Sequence, residues 1–136
     1  MKYSILLDAH ALSEYANDTN IFRPWLKMAR GSGSEFFAST ATLAEVTDGT
    51  SRDANIRRVA RNVDLVPVSK EIGYDAGRLR ARAANLRRKP RDLTVDAIVA
   101  ATALDIPPPV IVLTSDKPDL ELMLADYQGI QVHDIG

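Results

Sequence analysis

Two short runs, Tyr3–Leu7 (YSILL) and Val110–Leu113 (VIVL), constrain the chain most. Each is built from strand-forming, mostly apolar residues without clean polar alternation, and each is followed closely by a carboxylate, Asp8 or Asp116. A strand that does not alternate is buried on both faces, which requires a parallel sheet covered by helices on either side. Segments with helical spacing lie between the runs. The expected fold class is therefore α/β, a three-layer α/β/α sandwich with a central, mainly parallel sheet.

The remaining segments follow from spacing and punctuation. Ala11–Ala16 reads as a short helix. Phe22, Trp25, Leu26 and Ala29 mark a second, with Pro24 in its first turn and Gly31-Ser32-Gly33-Ser34 ending it. Phe36–Ala38 is a short strand. A helix capped by Ser39 or Thr40 runs to the stop at Asp48-Gly49. Ile56, Val59 and Ala60 suggest another helix among basic residues, and Leu65–Val68 a third strand. Ser69 caps a long helix from Lys70 to about Arg88, stopped by Pro90. Thr94 caps a helix over Val95–Leu104, ended by Pro107-Pro108-Pro109. After Val110–Leu113 come a helix over Pro118–Ala125 and a last strand, Ile130–Val132.

Composition sets bounds on function. With 136 residues, one domain spanning 1–136 is expected. Seventeen basic residues nearly balance eighteen acidic ones, so any pull toward nucleic acid must come from local clustering. The absence of cysteine excludes disulfides, thiol catalysis and Cys-ligated zinc, and suits a reducing cytoplasm. No apolar stretch approaches the roughly 20 residues of a membrane span, and Asp8 interrupts the N-terminal run. A cytoplasmic protein is expected.

In open parallel sheets, ligands bind outside the carboxyl ends of the strands. Asp8 and Asp116 belong there. Asp96, in TVDAIVAATAL, sits in a helix apolar nearly all round, where an ionised side chain is costly unless paired; its other reading is a first-turn acid favoured by the helix dipole. Glu45, in TLAEV, is a fourth candidate, although Thr42 and Glu45 also have the spacing of a capping box. Asp8 and Asp116 could likewise be a polar strand end and a helix cap, and Asp119 suits a dipole role. Carboxylates packed together repel unless a cation joins them, and hard oxygen ligands suit Mg²⁺ or Mn²⁺. Only two histidines are present, His10 and His133, without zinc-ligand spacing. His10, close to Asp8, is either a substrate contact or an ordinary polar residue opening a helix.

The segments LLDAHAL, TLAEV, TVDAIVAATAL and VLTSDKPDLELM, in that order, resemble the PIN-domain ribonucleases, and within them the VapC-type toxins of bacterial toxin–antitoxin pairs. The likeness covers essentially the whole chain. It implies Asp8, Glu45, Asp96 and Asp116 as the catalytic, metal-binding acids, with Asp119 as a secondary acid. It further implies Mg²⁺ (or Mn²⁺) as cofactor, internal cleavage of RNA by phosphodiester hydrolysis, a cognate antitoxin and a homodimer. Ser115 and Thr114 either help position water or simply end the strand. The family commonly carries Ser, Thr or Asn two residues after its first Asp, where this chain has His10.

A substrate of this kind needs local positive charge. GRLRARAANLRRKPR supplies it on the long helix, with Leu79, Ala83 and Leu86 as the buried stripe. Arg78, Arg82, Arg87 and Arg88 are the expected contacts to RNA or antitoxin, their other reading being a solvated face. Arg52, Arg57, Arg58 and Arg61 share that ambiguity. Trp25 and Phe22 read as core or as a groove for a partner helix. A haloacid-dehalogenase-like phosphatase would want an Asp where His10 stands, and a receiver domain an early acidic pair. A non-catalytic RNA- or partner-binding module, or a housekeeping nuclease without antitoxin, remain alternatives.

Overall fold

The computed structural model describes residues 1–86 and 92–136. Five strands, β1 (Ser4–Leu7), β2 (Glu35–Ser39), β3 (Val63–Val66), β4 (Val110–Thr114) and β5 (Ile130–Asp134), form one parallel sheet in the order β3-β2-β1-β4-β5. The described helices are α1 (Ala9–Ala16), α2 (Arg23–Ser32), α3 (Thr40–Val46), α4 (Asp53–Ala60), α5 (Lys70–Leu86), α6 (Thr94–Ala103) and α7 (Lys117–Leu124). The chain builds outward from β1 to β3, then returns to add β4 and β5 on the other side of β1. The order therefore reverses between β1 and β4, which pair from Ser4↔Val110 to Leu7↔Leu113.

Both faces of the sheet are covered, as the non-alternating strands require. Ile5, Leu7, Phe36, Ile111 and Leu113 pack with residues of α1, α2 and α4. Leu6, Phe37, Val110 and Val112 pack with α5, α6 and α7. Phe22 is fully buried and stacks on Tyr15 with ring centroids 4.7 Å apart, so it is core. Trp25 is half-buried and meets the edge of His133 at 5.3 Å.

Several boundaries differ from the sequence expectation, each for a local reason. β3 occupies Val63–Val66 rather than Leu65–Val68, because Pro67 has no N–H to give the ladder. α1 starts at Ala9 rather than Ala11, because the Asp8 carboxylate accepts the Ala11 N–H at 2.8 Å and caps the helix directly after β1. Thr94 is the first residue of α6 rather than its cap, and its N–H and hydroxyl both donate to Asp92 Oδ1. Leu79 and Ala83 are buried as expected, but Leu86 is 57% exposed. Arg80 already reaches Thr94, at the start of α6, so Leu86, about 9 Å further along its helix, has run past that partner. The remainder of the basic run, including Arg87 and Arg88, lies outside the described residues. Among those described, no helix is long and apolar enough to cross a membrane.

One buried acid has a purely architectural task. Asp53, 6% exposed, accepts the N–H groups of Asp48 and Gly49 at 3.0 and 2.8 Å and so closes the turn between α3 and α4. Asp53→Ala strands both donors and is expected to cost about 2 kcal/mol. Urea unfolding should show a lower midpoint with an unchanged slope.

Candidate active site

The reversal point between β1 and β4 is where an open α/β sheet leaves a crevice. A cleft of about 450 Å³ opens there, lined by Asp8, His10, Ser13, Glu45, Asp96, Ser115 and Asp116 together with Ala9, Val46 and Val99. All four acids expected from the sequence thus reach one cavity, each delivered by a different element.

Asp8 ends β1. It is 7% exposed, and both of its oxygens hold backbone: Oδ1 accepts from Ala11, and Oδ2 accepts the Ser115 N–H at 2.9 Å. It therefore fixes the start of α1 and, across the sheet, the loop that carries Asp116. That loop is also shaped by Thr114, fully buried, whose Oγ1 accepts the Asp116 N–H at 2.9 Å. Ser115 is exposed and lines the cleft, whereas Thr114 does not.

Asp96 comes from the first turn of α6 and Asp119 from the first turn of α7, with Asp116 at the cap position of α7. Each offers a carboxylate oxygen, and these three lie within 4.8 Å of one another. Asp119 stands three residues from Asp116, on the same side of the helix opening, and is 6% exposed. Among the described residues the close acidic group is therefore Asp96, Asp116 and Asp119, and Asp8 and Glu45 line the same cleft as Asp96 and Asp116. The (i, i+3) spacing of the two α7 acids is the sequence feature that foreshadows this grouping.

Glu45 is no capping-box residue. Ser39 caps α3, its Oγ accepting the Ala41 N–H at 3.1 Å, which places Thr42 third and Glu45 sixth in the helix. Glu45 is exposed at the rim of the cleft. Its carboxyl is raised above the ordinary 4.5, first by desolvation, then by the negative charges of Asp8 and Asp116. Three hard oxygen donors this close suit a divalent cation with oxygen preference, and such an ion would offset that repulsion. Ser13 also lines the cleft. It follows from His10 by one helical turn, a relation hidden while the helix was expected to begin at Ala11.

Two described arginines of α5 make surface ion pairs. Arg78 pairs with Asp75 at 3.3 Å, and Arg82 pairs with Asp126. Asp126 lies just beyond α7, past the end opposite the first turn that carries Asp119.

An α/β sheet with acids gathered at its reversal point has the arrangement of a ligand-binding crevice. The PIN domain family model matches residues 5–117, and the chain belongs to that family. Its fold is shared with a chain of the VapBC-1 structure from nontypeable Haemophilus influenzae (TM-score 0.69, 15% identity, covering 97% of this chain and 98% of that one). It is shared as well with a chain of the Rickettsia felis VapBC2 structure bound to a promoter DNA fragment (0.68, 10%, 96% and 98%). A chain of a toxin–antitoxin complex from Klebsiella pneumoniae is similar too (0.63, 20%, 93% and 94%). No curated protein matches the sequence significantly.

Two outcomes follow from this geometry. Asp8→Asn places an amide N–H₂ or a single remaining acceptor against two backbone donors, and should cost about 2 kcal/mol in chemical unfolding. For Glu45, a raised folded-state carboxyl means the folded chain binds more protons than the unfolded one, so its charge lowers stability as pH rises through 4.5 and above. Glu45→Gln should therefore raise the thermal midpoint of metal-free protein at neutral pH and leave it unchanged well below pH 4.5.

Proposed function

We propose that the chain is a Mg²⁺- or Mn²⁺-dependent endoribonuclease of the toxin type, acting in the cytoplasm and neutralised by a cognate antitoxin. The observation that carries this reading is the close carboxylate trio of Asp96, Asp116 and Asp119 at the reversal point of the sheet. Membership of the PIN domain family supports it. So does the fold shared with a chain of a toxin–antitoxin complex, which supports an antitoxin as partner. A homodimer accompanies the reading by family resemblance.

Asp96, Asp116 and Asp119 would hold the metal, with Asp8 and Glu45 completing the acidic wall of the cleft. When bound, a divalent ion lowers the pKa of water and offsets charge on the phosphate. The chain's own residues do the rest. Asp8 keeps the Ser115–Asp116 backbone in place through its bond to the Ser115 N–H. Thr114 holds the following turn from within the core. Glu45, whose carboxyl is raised first by desolvation and then by the charges of Asp8 and Asp116, would take up a proton from the attacking water at its carboxylate oxygen.

The test is cleavage of a structured RNA pool by antitoxin-free protein with and without Mg²⁺ or Mn²⁺, beside Asp96→Asn. Metal-dependent cuts that fall at least about a hundredfold in the variant are expected, the loss that follows removal of a group stabilising the transition state. Absence of cleavage, with no metal binding by calorimetry, would replace the nuclease by a non-catalytic binding module.

A further inference from the structure

The four arginines around α4, Arg52, Arg57, Arg58 and Arg61, do not share one fate. Arg52 pairs with Asp48 at 2.8 Å, and Arg58 donates to the carbonyl of Ala16 at 3.2 Å. Among the described residues, no ion pair or side-chain hydrogen bond engages Arg57 or Arg61. Both are exposed. Arg61 stands at the C-terminal cap of α4, one turn after Arg57, so the two share a face about 6 Å apart along the helix axis.

That face borders a groove of about 710 Å³ between α3, α4 and β3, to which Leu43, Ile56 and Leu65 contribute apolar side chains. Asp53 also lines it, but its two oxygens are committed to the N–H groups of Asp48 and Gly49. The charge left open in the described groove is therefore positive. The groove adjoins the acidic cleft, with α3 between them. Glu45 and Val46 line the cleft, and Leu43 and Thr47 line the groove.

The described lining of the cleft contains no arginine or lysine. A strand seated there carries phosphates on either side of the scissile one, and these need cations that a wall of carboxylates does not supply. The arginine pair lies in the next opening past the end of α3. Guanidinium groups fork phosphate oxygens, and their charge does not depend on pH near neutrality. An acidic peptide would match the same charge, but only a substrate strand has to continue past α3 from the cleft. We infer that Arg57 and Arg61 form a phosphate subsite for the flank of a single-stranded RNA that leaves the cleft over the end of α3. The assignment rests on the endoribonuclease reading above and extends it from one phosphodiester to a strand of several nucleotides.

The experiment compares wild type, Arg57→Ala/Arg61→Ala and Arg57→Lys/Arg61→Lys in metal-dependent cleavage of a long single-stranded RNA. A control, Lys2→Ala/Lys27→Ala, removes two exposed charges elsewhere. Binding of the same RNA to Asp96→Asn protein, with and without the arginine pair, is measured over a range of salt. Loss of the pair should raise KM about tenfold, the worth of a hydrogen bond to a charged group, with kcat little changed. Binding should weaken to a similar degree, and the slope of log affinity against log salt should become shallower by about 1.4, the value for two single-strand phosphates. The lysine pair should keep the slope and recover part of the KM. The control should move neither, and an equal effect there would overturn the subsite. Unchanged KM, binding and slope without the arginine pair, in a protein that still cleaves RNA, would overturn it and leave the nuclease reading standing. A Leu- and Glu-rich peptide that then bound wild type but not the alanine pair would assign the groove to an acidic protein segment instead. Wild type that binds RNA through the pair without cleaving it would support the subsite and overturn the nuclease reading. Wild type that neither cleaves nor binds RNA would overturn both.

Discussion

One carboxylate holds two backbone amides that belong to different parts of the molecule. Asp8 accepts from Ala11 at the opening of α1 and from Ser115 beyond the end of β4. These two bonds fasten a helix on one face of the sheet to the exit of the neighbouring strand. They do so where the strand order reverses, and the site depends on that geometry. Asp116 follows Ser115 directly, and Asp119 follows within the first turn of α7. A buried acid with both oxygens committed to N–H groups costs little as an ion, since its desolvation is repaid by charge-assisted bonds. The acid nearest the N-terminus is thus also a mount for the backbone that carries Asp116.

The mount works because the core beneath it is apolar on both sides. Ile5, Leu6 and Leu7 are fully buried, and their side chains divide between the two hydrophobic layers. Elements fixed this firmly can carry repelling carboxylates at their ends without rearranging to separate them. At the rim the Glu45 carboxyl is raised first by desolvation and then by the charges of Asp8 and Asp116. Rigid strands and helix starts, rather than long loops, position the acids, which favours a defined arrangement of ligand oxygens.

Much of this was legible in the sequence. Non-alternating strands announced a covered parallel sheet, and the acids at the exits of YSILL and VIVL announced a site at their carboxyl ends. Asp96 stood out because an acid in TVDAIVAATAL has no ordinary place on so apolar a helix. The finer grouping was less legible. Asp119 had a dipole reading and a secondary-acid reading, and its (i, i+3) spacing to Asp116 does not by itself show that the α7 opening faces Asp96. Thr42 and Glu45 matched a capping box, yet Ser39 had already taken the cap. Pro67 displaced β3 by removing one donor, a change of two residues that apolar content alone does not reveal. Which of the four arginines around α4 stay open is decided in part by tertiary partners such as the Ala16 carbonyl, and spacing carried no trace of them.

The strand order has a consequence for the order of events during synthesis. β1 is made well before its partner β4, which begins more than a hundred residues later, at Val110. Until that segment is available, the centre of the sheet has one open edge, the Ser115 amide that Asp8 holds does not exist, and the cleft lacks its wall. Contacts so distant in the chain carry a large loop-closure cost and form late. The acids therefore gather only once segments far apart in the chain have met, and a partly made chain that lacks β4 holds Asp8, Glu45 and Asp96 on separate elements.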